Sequence, residues 1–302
     1  MDAKVAQSLH WSTWRSSDNI VRRHGGSLHF SQRQSGSGWK NFQTIVSYDL
    51  GCRKGWNGQK SVVLKVSCSS QKTQASVLQS ESALISVDEA ALLKNKAEDV
   101  GSLLEGRCIY LVGMMGSGKT TVGRILSESL NYSFFDCDTL IEQTVGGITV
   151  AEIFKLYGES FFRNNETEVL QKVSSMQRLV VSTGGGAVVR PINWKYMHKG
   201  LSVWLDVPLE ALARRIAEVG TDSRPLLSGE SGDAYTQAFK RLTTLLEERG
   251  EAYANANARV SLEDMAVKYG CEDVCKLTPA TIAVEALVQL ENYLKKEGTR
   301  LK

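Results

Sequence analysis

One stretch near the middle of the chain decides its fold: Gly113-Met114-Met115-Gly116-Ser117-Gly118-Lys119-Thr120. It matches the phosphate-binding loop pattern, in which a glycine and four further residues precede Gly-Lys-Ser/Thr. Such glycines let successive backbone N–H groups turn toward phosphate oxygens, and the N-terminus of the next helix faces the same anion. The stretch therefore predicts a nucleotide phosphate site. The alternative is a glycine-rich turn that binds nothing.

The residues on either side of this loop are those that the pattern requires. Cys108–Val112 is a short apolar run typical of a buried strand, and Thr120–Leu130 has apolar residues at helical spacing. Lys119 would reach the β- and γ-phosphates of ATP, and the Thr120 hydroxyl would bind Mg²⁺. The predicted ATP-binding residues of this segment are Gly113, Met114, Met115, Gly116, Ser117, Gly118, Lys119, Thr120 and Thr121.

Composition places the chain among globular proteins with a sizeable core. It has 302 residues, 42% hydrophobic and 23% charged, with a formal net charge of +3. The positive excess lies in the first eighty or so residues, so the remainder is slightly acidic, which argues against a nucleic-acid partner. No apolar stretch is long enough to span a bilayer, which argues against a membrane partner.

The N-terminal region has a targeting composition. Residues 1–68 are rich in Ser, Arg, Gln and Gly, without a sustained helical or strand period, and predict a disordered chloroplast transit peptide that contacts the plastid import machinery. Val66-Ser67-Cys68-Ser69 resembles a plastid processing site. The alternative is a basic tail that stays on the protein and binds an anionic partner. Residues 69–105 are interpreted as a linker and an amphipathic helix, with Leu92, Leu93, Ala97, Val100 and Leu104 on its apolar face.

Two aspartates follow the next predicted strand, Ser133–Phe135. Ligands of open α/β sheets bind outside the carboxyl ends of the strands. Residues two apart in a strand point to the same side, so we expect Asp136 and Asp138 to face one site and to share a metal and substrate role there. The alternative is that the aspartate at the strand end caps a helix starting at about Thr139.

A predicted helix over Glu159 to about Ser175 carries Arg163 and Glu166, which lie three residues apart and can pair. Phe161 and Phe162 precede this arginine, so we expect that face of the helix to be drawn toward the core. A further buried strand is predicted at Leu179–Ser182, followed by Thr183 and three glycines. In many phosphate-loop proteins this strand ends in an aspartate that supports Mg²⁺. Because this chain has none there, Asp136 is the best acidic metal ligand. The glycines Gly184, Gly185 and Gly186 would let a ligand approach the backbone closely, unless the loop has no function.

The remaining third of the chain supplies three arginines. The strand Ser202–Val207 precedes a helix that carries Arg215, and residues 220–233 form a polar segment, with Arg224 beside a proline, that could act as a lid or be only a mobile loop. A helix over residues 234–248 ends near Arg249. The fifth strand is predicted at Ala258–Leu262 and the last helix from Pro279 to about Lys296. Cys271 and Cys275 are either a redox pair or two unpaired thiols.

Taken together, these motifs resemble shikimate kinase from about Gly106 to Glu297. They are the phosphate loop, the Asp-x-Asp, the Phe-Arg with a glutamate three residues later, the triple glycine, the Arg-Pro-Leu-Leu of the lid and the late arginine. The resemblance implies an α/β fold of the P-loop nucleoside-monophosphate-kinase type, with a five-stranded parallel sheet, helices on both faces and a mobile lid. It implies a kinase domain at residues 106–297, followed by a tail at residues 298–302, in a monomer or homodimer of the chloroplast stroma.

The same resemblance implies ATP-dependent phosphorylation of the 3-hydroxyl of shikimate, with Mg²⁺ as cofactor, as a step of chorismate and aromatic amino acid biosynthesis. Its implied catalytic residues are Asp138, Lys119 and Arg224. Arg215 and Pro279 resemble the pair that flanks adenine, and the metal ligands are Thr120 and Asp136. The implied substrate contacts are Asp138, Arg163, Gly184, Gly185, Gly186 and Arg249.

Two other interpretations stay open at the level of sequence. One is another small-molecule kinase of this architecture, such as a gluconate or nucleoside-monophosphate kinase, which should carry different residues in place of Asp138, Arg163 and Arg249. The other is a relative without activity, which would be expected to lose Lys119 or Asp138. The chain keeps all of these residues. The guanidinium groups on the protein suit a carboxylate on the substrate, and the carboxylate on the protein suits hydroxyl donors. Together they point to a hydroxy acid as substrate.

Overall fold

A computed structural model describes residues 26–31, 43–48, 63–64, 87–219 and 233–300. The chain falls into two units, residues 1–70 and 71–302. In the first unit, strands β1 (Gly26–Ser31), β2 (Gln43–Tyr48) and β3 (Val63–Leu64) form an antiparallel sheet in the order β1-β2-β3. Residues 1–68 have no sustained strand period in sequence, and these strands are short segments within that region. Their short alternation of apolar and polar residues, as in Ser27-Leu28-His29-Phe30, is the strand period.

The second unit is built on a five-stranded parallel sheet, as predicted, with the order β5-β6-β4-β7-β8. Its strands are β4 (Ile109–Val112), β5 (Ser133–Asp136), β6 (Leu179–Ser182), β7 (Leu201–Asp206) and β8 (Ala258–Ser261). Every residue of β4 and β6 is buried, because helices cover both faces of a parallel sheet. Since β4 lies in the centre, the connections leave it on both sides and open a crevice at the carboxyl ends of the strands.

The helices described in this unit are α1 (Val87–Leu104), α2 (Lys119–Ser129), α3 (Cys137–Thr144), α4 (Val150–Val173), α5 (Pro191–Met197), α6 (Leu209–Val219), α7 (Ala234–Tyr253), α8 (Leu262–Tyr269) and α9 (Pro279–Arg300). Helices α5 and α8 were not predicted from sequence. Within the part of the chain that the structure describes, no helix is long and apolar enough to cross a membrane.

Helix α1 is amphipathic and packs against α9. Four of the five apolar positions on the predicted face are buried, whereas Leu92 is half exposed. Lys96 Nζ lies 2.9 Å from Glu291 Oε2, and the Glu89 carboxylate accepts hydrogen bonds from the hydroxyls of Thr278 and Thr281. These contacts attach the segment before the predicted kinase domain to its last helix.

Helix α4 joins the helix predicted over Glu159 to about Ser175 to a further helical stretch before it, with a kink between them. Its first turn is closed by a capping box between Thr149 and Glu152. At Gly158 the backbone leaves helical geometry, with φ of 79° and ψ of 169°. A side chain is strained at such positive φ, so glycine is the residue that suits the kink. The second half of α4 then enters the crevice with Arg163 and Glu166.

Two predicted helix ends are wrong. Helix α7 does not stop before Gly250 but continues to Tyr253, which is fully buried. A glycine within a helix costs about 0.5–1 kcal/mol, whereas burying a large apolar side chain stabilises by about 1.5–3 kcal/mol, so the burial of Tyr253 outweighs the glycine. Helix α9 runs to Arg300, so the predicted tail at residues 298–302 is helical up to that residue. Glu297 of α9 pairs with Arg107 at 2.9 Å.

Candidate active site

A cavity of about 1320 Å³ lies at the carboxyl ends of the strands, where the crevice was expected. It brings together most of the residues singled out in the sequence. Those that line it are Met115, Gly116, Ser117, Gly118, Lys119, Thr120, Thr121, Asp136, Asp138, Arg163, Gly184, Gly185, Gly186, Arg215, Arg249 and Pro279. Gly113 and Met114, the first two residues of the phosphate loop, are buried and do not line the cavity. Arg224 and all of the predicted lid at residues 220–233 except Asp233 lie outside the described residues.

The phosphate loop connects β4 to α2 and aims the N-terminus of that helix into the cavity. Lys119 is buried, and its Nζ donates to the carbonyl oxygens of Gly113 at 2.9 Å and of Met114 at 2.8 Å. It also donates to Ser117 Oγ at 3.4 Å. The ammonium group therefore lies inside the concave side of the loop, where backbone N–H groups and a helix dipole favour an anion.

Oxygen atoms from three elements meet beside the loop. Thr120 Oγ1 donates to Asp136 Oδ2 at 2.8 Å and lies 3.4 Å from Ser182 Oγ. The other oxygen of Asp136 caps α3, because it accepts from the backbone N–H groups of Asp138 and Thr139. Asp136 thus caps α3 with one oxygen and faces the site with the other. Ser182, at the end of β6, joins the site without having been predicted there.

Asp138 faces the cavity, but not for the reason given by the sequence pattern. It lies in the first turn of α3, whereas Asp136 is the last residue of β5, so strand alternation does not relate them. The helix starts at Cys137 rather than near Thr139 because Asp136 caps it there. The helical turn still carries both carboxylates into the same cavity.

The electrostatic surroundings of Asp138 suit a proton acceptor. Its Oδ1 is shielded from solvent, and no hydrogen-bond partner for this atom lies among the described residues. Burial raises the pKa of Asp138 to about 7, and the carboxylates of Asp136 and Glu166 add to the rise, while Lys119 and Arg163 oppose it. A buried acceptor without a partner costs free energy, so the atom is suited to a ligand that brings a hydroxyl donor.

Arg163 forms a buried ion pair with Glu166, as the sequence predicted. Arg163 Nη1 lies 2.8 Å from Glu166 Oε2, and the glutamate side chain has no exposed surface. Burial raises the pKa of Glu166, and the nearby Arg163 charge opposes that rise. A second carboxylate, Glu159, accepts from Arg163 Nε at 3.2 Å and Nη2 at 3.1 Å. Sequence reasoning missed Glu159, although its spacing of four residues from Arg163 was available as a signal.

The triple glycine allows these charged groups to approach the backbone. A Cβ atom on Gly186 would lie 2.5 Å from Arg163 Cζ, and a Cβ on Gly184 would lie 2.5 Å from Glu166 Oε1 and 2.9 Å from Asp138 Oδ1. Only a residue without a side chain leaves the guanidinium and the two carboxylates where they are. The loop therefore has a defined role in the geometry of the cavity.

Arg249 lies on α7, is buried and lines the cavity. Burial lowers the pKa of its guanidinium, although the group stays charged at neutral pH. Tyr253, one turn further along, donates its hydroxyl to the Gly185 carbonyl at 2.6 Å and stacks on Trp204 at 5.7 Å between ring centroids. Tyr253 fixes the orientation of this peptide group, and nothing in the sequence singled it out.

Another part of the cavity wall is formed by α6, the start of α9 and the segment between α8 and α9. Arg215 Nη1 donates to the Gly116 carbonyl at 3.2 Å, and Pro279 is the first residue of α9. Cys275 and Lys276 also line this end, and neither had been expected there. The thiols of Cys271 and Cys275 are unpaired.

Comparison with known proteins gives the same family from sequence and from structure. The family model described as "Shikimate kinase" matches residues 115–282. "Shikimate kinase, chloroplastic" of Solanum lycopersicum is 63% identical over 295 residues, covering 98% of this chain and 97% of the relative. "Shikimate kinase 1, chloroplastic" of Arabidopsis thaliana is 53% identical and covers 99% of this chain and 97% of the relative.

Among solved structures, the shikimate kinase of Acinetobacter baumannii in complex with shikimate is 32% identical to this chain. The match has a TM-score of 0.53 and covers 67% of this chain and 99% of that one. Because a family model spans more than half of the chain, and near full-length relatives share more than half of its residues, the chain belongs to the shikimate kinase family.

Proposed function

We propose that this chain transfers the γ-phosphoryl group of ATP to the 3-hydroxyl of shikimate, giving shikimate 3-phosphate and ADP. The reaction is a step of chorismate and aromatic amino acid biosynthesis. The observation that supports the proposal is a single cavity with a phosphate loop at one end and, at the other, two buried arginines beside the unpaired Asp138 oxygen. Family membership and the full-length chloroplastic relatives support it as well.

ATP binds at the phosphate-loop end. Backbone N–H groups of the loop and the N-terminus of α2 hold the phosphate oxygens. The Lys119 ammonium exchanges its hydrogen bonds with the Gly113 and Met114 carbonyls for β- and γ-phosphate oxygens. Arg215 and Pro279 flank the adenine ring. Arg224, which lies outside the described residues, supplies a further cation to the transferring group, a role that rests on its sequence context alone.

Mg²⁺ is the cofactor that the oxygen donors beside the loop suit. The ion prefers hard oxygen ligands and is commonly held by one or two protein groups together with phosphate oxygens. Thr120 and Asp136 supply such a hydroxyl and carboxylate, with Ser182 next to them. When bound, Mg²⁺ neutralises negative charge on the phosphates.

Shikimate binds at the opposite end with its carboxylate on Arg163 and Arg249. Guanidinium groups bind carboxylates through two parallel hydrogen bonds, which fixes the orientation of the ring as well as its place. Asp138 then accepts a hydrogen bond from the reacting hydroxyl and takes its proton, while the backbone of Gly184, Gly185 and Gly186 closes the remaining side. Most of the catalysis of phosphoryl transfer is such positioning together with charge neutralisation.

The N-terminal residues 1–68 act as a chloroplast transit peptide, and the mature enzyme works in the stroma. Their composition and the chloroplastic names of the relatives from tomato and Arabidopsis support this role. The kinase domain comprises residues 106–297, with its lid at residues 220–233, and α1 packs on it from the segment before.

Arg249→Ala is expected to raise the KM for shikimate by about 10- to 100-fold, because hydrogen bonds to a charged group contribute about 1.5–3 kcal/mol. The KM for ATP should change little, since Arg249 lies on the acceptor side of the cavity. Steady-state kinetics with each substrate varied in turn measures both values. Arg259→Ala is the matched control, because Arg259 pairs with Asp206 outside the cavity. Equal changes in both KM values would contradict the carboxylate role.

Gly186→Ala is expected to lower kcat/KM for shikimate by about 10- to 100-fold, because the new methyl group would displace the Arg163 guanidinium. The free energy of unfolding, measured in urea, reports whether the variant folds. Gly101→Ala is the control, since a Cβ there would meet nothing within 4 Å. A Gly186→Ala enzyme with normal kinetics would mean that Arg163 does not bind substrate from this place.

The reaction itself is tested by nuclear magnetic resonance of the product formed by the purified chain from shikimate and Mg²⁺-ATP. We expect one new phosphate monoester whose phosphorus couples to the proton on C3 of the ring, together with ADP in equal amount. Phosphate on another hydroxyl would overturn the proposed regiochemistry, and ADP without a phosphoester would overturn the proposed acceptor.

A further inference from the structure

The guanidinium of Arg163 is held by two carboxylates that differ sharply in exposure. Glu166, with no exposed side-chain surface, binds Nη1 at 2.8 Å. Glu159, whose side chain is 50% exposed, accepts from Nε at 3.2 Å and from Nη2 at 3.1 Å through the same oxygen, Oε1. The edge of the guanidinium that Glu159 occupies, Nε together with Nη2, is one of the two edges that can bind a carboxylate through paired hydrogen bonds.

We propose that Glu159 is an exchangeable counter-ion of Arg163: it binds the Nε–Nη2 edge of the guanidinium before substrate arrives and gives it up to the substrate carboxylate. The inference rests on the proposed function, because it requires that an anionic acceptor binds to Arg163. It assigns Glu159 a role in substrate affinity, as a residue that acts through Arg163 rather than on the reacting atoms.

Charge balance supports the exchange. Without substrate, the guanidinium groups of Arg163 and Arg249 face the carboxylates of Glu159 and Glu166, and Arg190 and Asp138 add one further group of each sign, so the charges of the cluster balance. A substrate carboxylate adds a negative charge to this buried cluster. If Glu159 stayed on the guanidinium, three carboxylates would share two arginines. Movement of Glu159 into solvent restores the balance.

Glu159 and Glu166 differ in their surroundings, and so in whether they can leave Arg163. Glu159 directly follows Gly158, whose non-helical backbone interrupts α4, and its half-exposed side chain can turn into water without leaving a buried charge. Glu166 is enclosed and backed by the triple glycine, so its loss would leave Arg163 with an uncompensated buried charge. Arg163 also lies 5.3 Å from the centroid of the Phe162 ring and against Gly186. The guanidinium therefore stays in place while one of its carboxylates is replaced.

Glu159→Gln in the full chain tests the proposal, because it removes the charge and keeps the size of the side chain. A partly exposed ion pair contributes about 0.2–1 kcal/mol, so we expect the Kd and the KM for shikimate to fall by about 1.5- to 5-fold. The kcat and the KM for ATP should stay as they are. Glu168→Gln is the matched control, since Glu168 pairs with Lys172 four residues later on the same helix with similar side-chain exposure, 43%, and not with Arg163.

Calorimetric titration with shikimate gives the Kd without turnover, and the methyl ester of shikimate isolates the carboxylate. Tighter binding of shikimate in Glu159→Gln, with unchanged binding of the ester and no effect of Glu168→Gln, is the expected result. Unchanged or weaker binding of shikimate would overturn the exchange and indicate that Glu159 stays on Arg163 to orient it. If the wild-type chain binds no shikimate, the proposed function fails first. A wild-type enzyme that phosphorylates shikimate, combined with a Glu159→Gln variant of unimproved affinity, refutes this inference alone.

Discussion

Asp138→Asn is expected to lower kcat for shikimate phosphorylation by about 10²- to 10⁴-fold, the contribution of a positioned general base. The amide cannot take the proton from the reacting hydroxyl, yet it keeps the size of the side chain. ATP binding should persist, because the Asp138 carboxyl group lies on the acceptor side of Lys119 and Thr120. Rapid-quench or steady-state assays give kcat, and calorimetric titration gives the Kd of the nucleotide. A variant with near-normal kcat would contradict the role of Asp138.

The pH dependence provides a second readout of the same residue. In the free enzyme the base must be ionised, so kcat/KM for shikimate should rise with pH through about 7, the value to which burial and the neighbouring carboxylates raise the pKa of Asp138. Below this pKa the carboxyl group is protonated and cannot accept the proton. In Asp138→Asn the rise should disappear from the residual activity. A wild-type profile that is flat between pH 6 and about 8 would show that the group is ionised by other contacts.

Lys119→Met is expected to lower kcat by about 10²- to 10³-fold, the typical cost of removing one preorganised donor from a developing negative charge. Methionine keeps most of the aliphatic stem that Lys119 buries, while the ammonium group is lost. Shikimate binding in the absence of nucleotide should stay normal, since the acceptor contacts are at the other end of the cavity. The measurements are kcat at saturating ATP and the Kd of shikimate.

Lys172→Met is the control for Lys119→Met, because Lys172 pairs with Glu168 on the surface of α4. Thermal unfolding of both variants separates loss of folding from loss of chemistry. Retention of most of the activity in a folded Lys119→Met enzyme would mean that the ammonium group stays on the Gly113 and Met114 carbonyls when ATP is bound.

The parts of the fold that sequence reasoning predicted correctly are those whose signals are local. The phosphate-loop pattern predicts a strand before it and a helix after it. The strands β4, β6 and β7 are recognisable as apolar runs, because both faces of a parallel sheet are covered. The convergence of Asp136, the triple glycine and the loop on one cavity follows from the rule for carboxyl ends of parallel strands. Prediction of the cavity therefore needed only that the strands are parallel and where each one ends, and not their order in the sheet.

The errors arose where a local signal competes with distant contacts. The sequence predicts a helix end near Arg249, but the helix continues because Tyr253 packs against Trp204 and Gly185, contacts that spacing does not reveal. Asp138 was placed by strand alternation, although the cap at Asp136 starts the helix one residue before it. By contrast, α8 could have been predicted, because Ser261 caps it and Gly270, with φ of 64°, ends it.

The account depends most directly on the identity of the acceptor. The decisive measurement is kcat/KM for ADP release, followed in a coupled assay on the chain beginning near Ser69, with Mg²⁺-ATP and, separately, shikimate, quinate, gluconate and nucleoside monophosphates. The proposed function predicts turnover confined to shikimate, because a hydroxy acid of that shape places its carboxylate on Arg163 and Arg249 and a hydroxyl on Asp138. Faster turnover of gluconate or of a nucleoside monophosphate, or ATP binding by a folded protein without turnover of any acceptor, would contradict it.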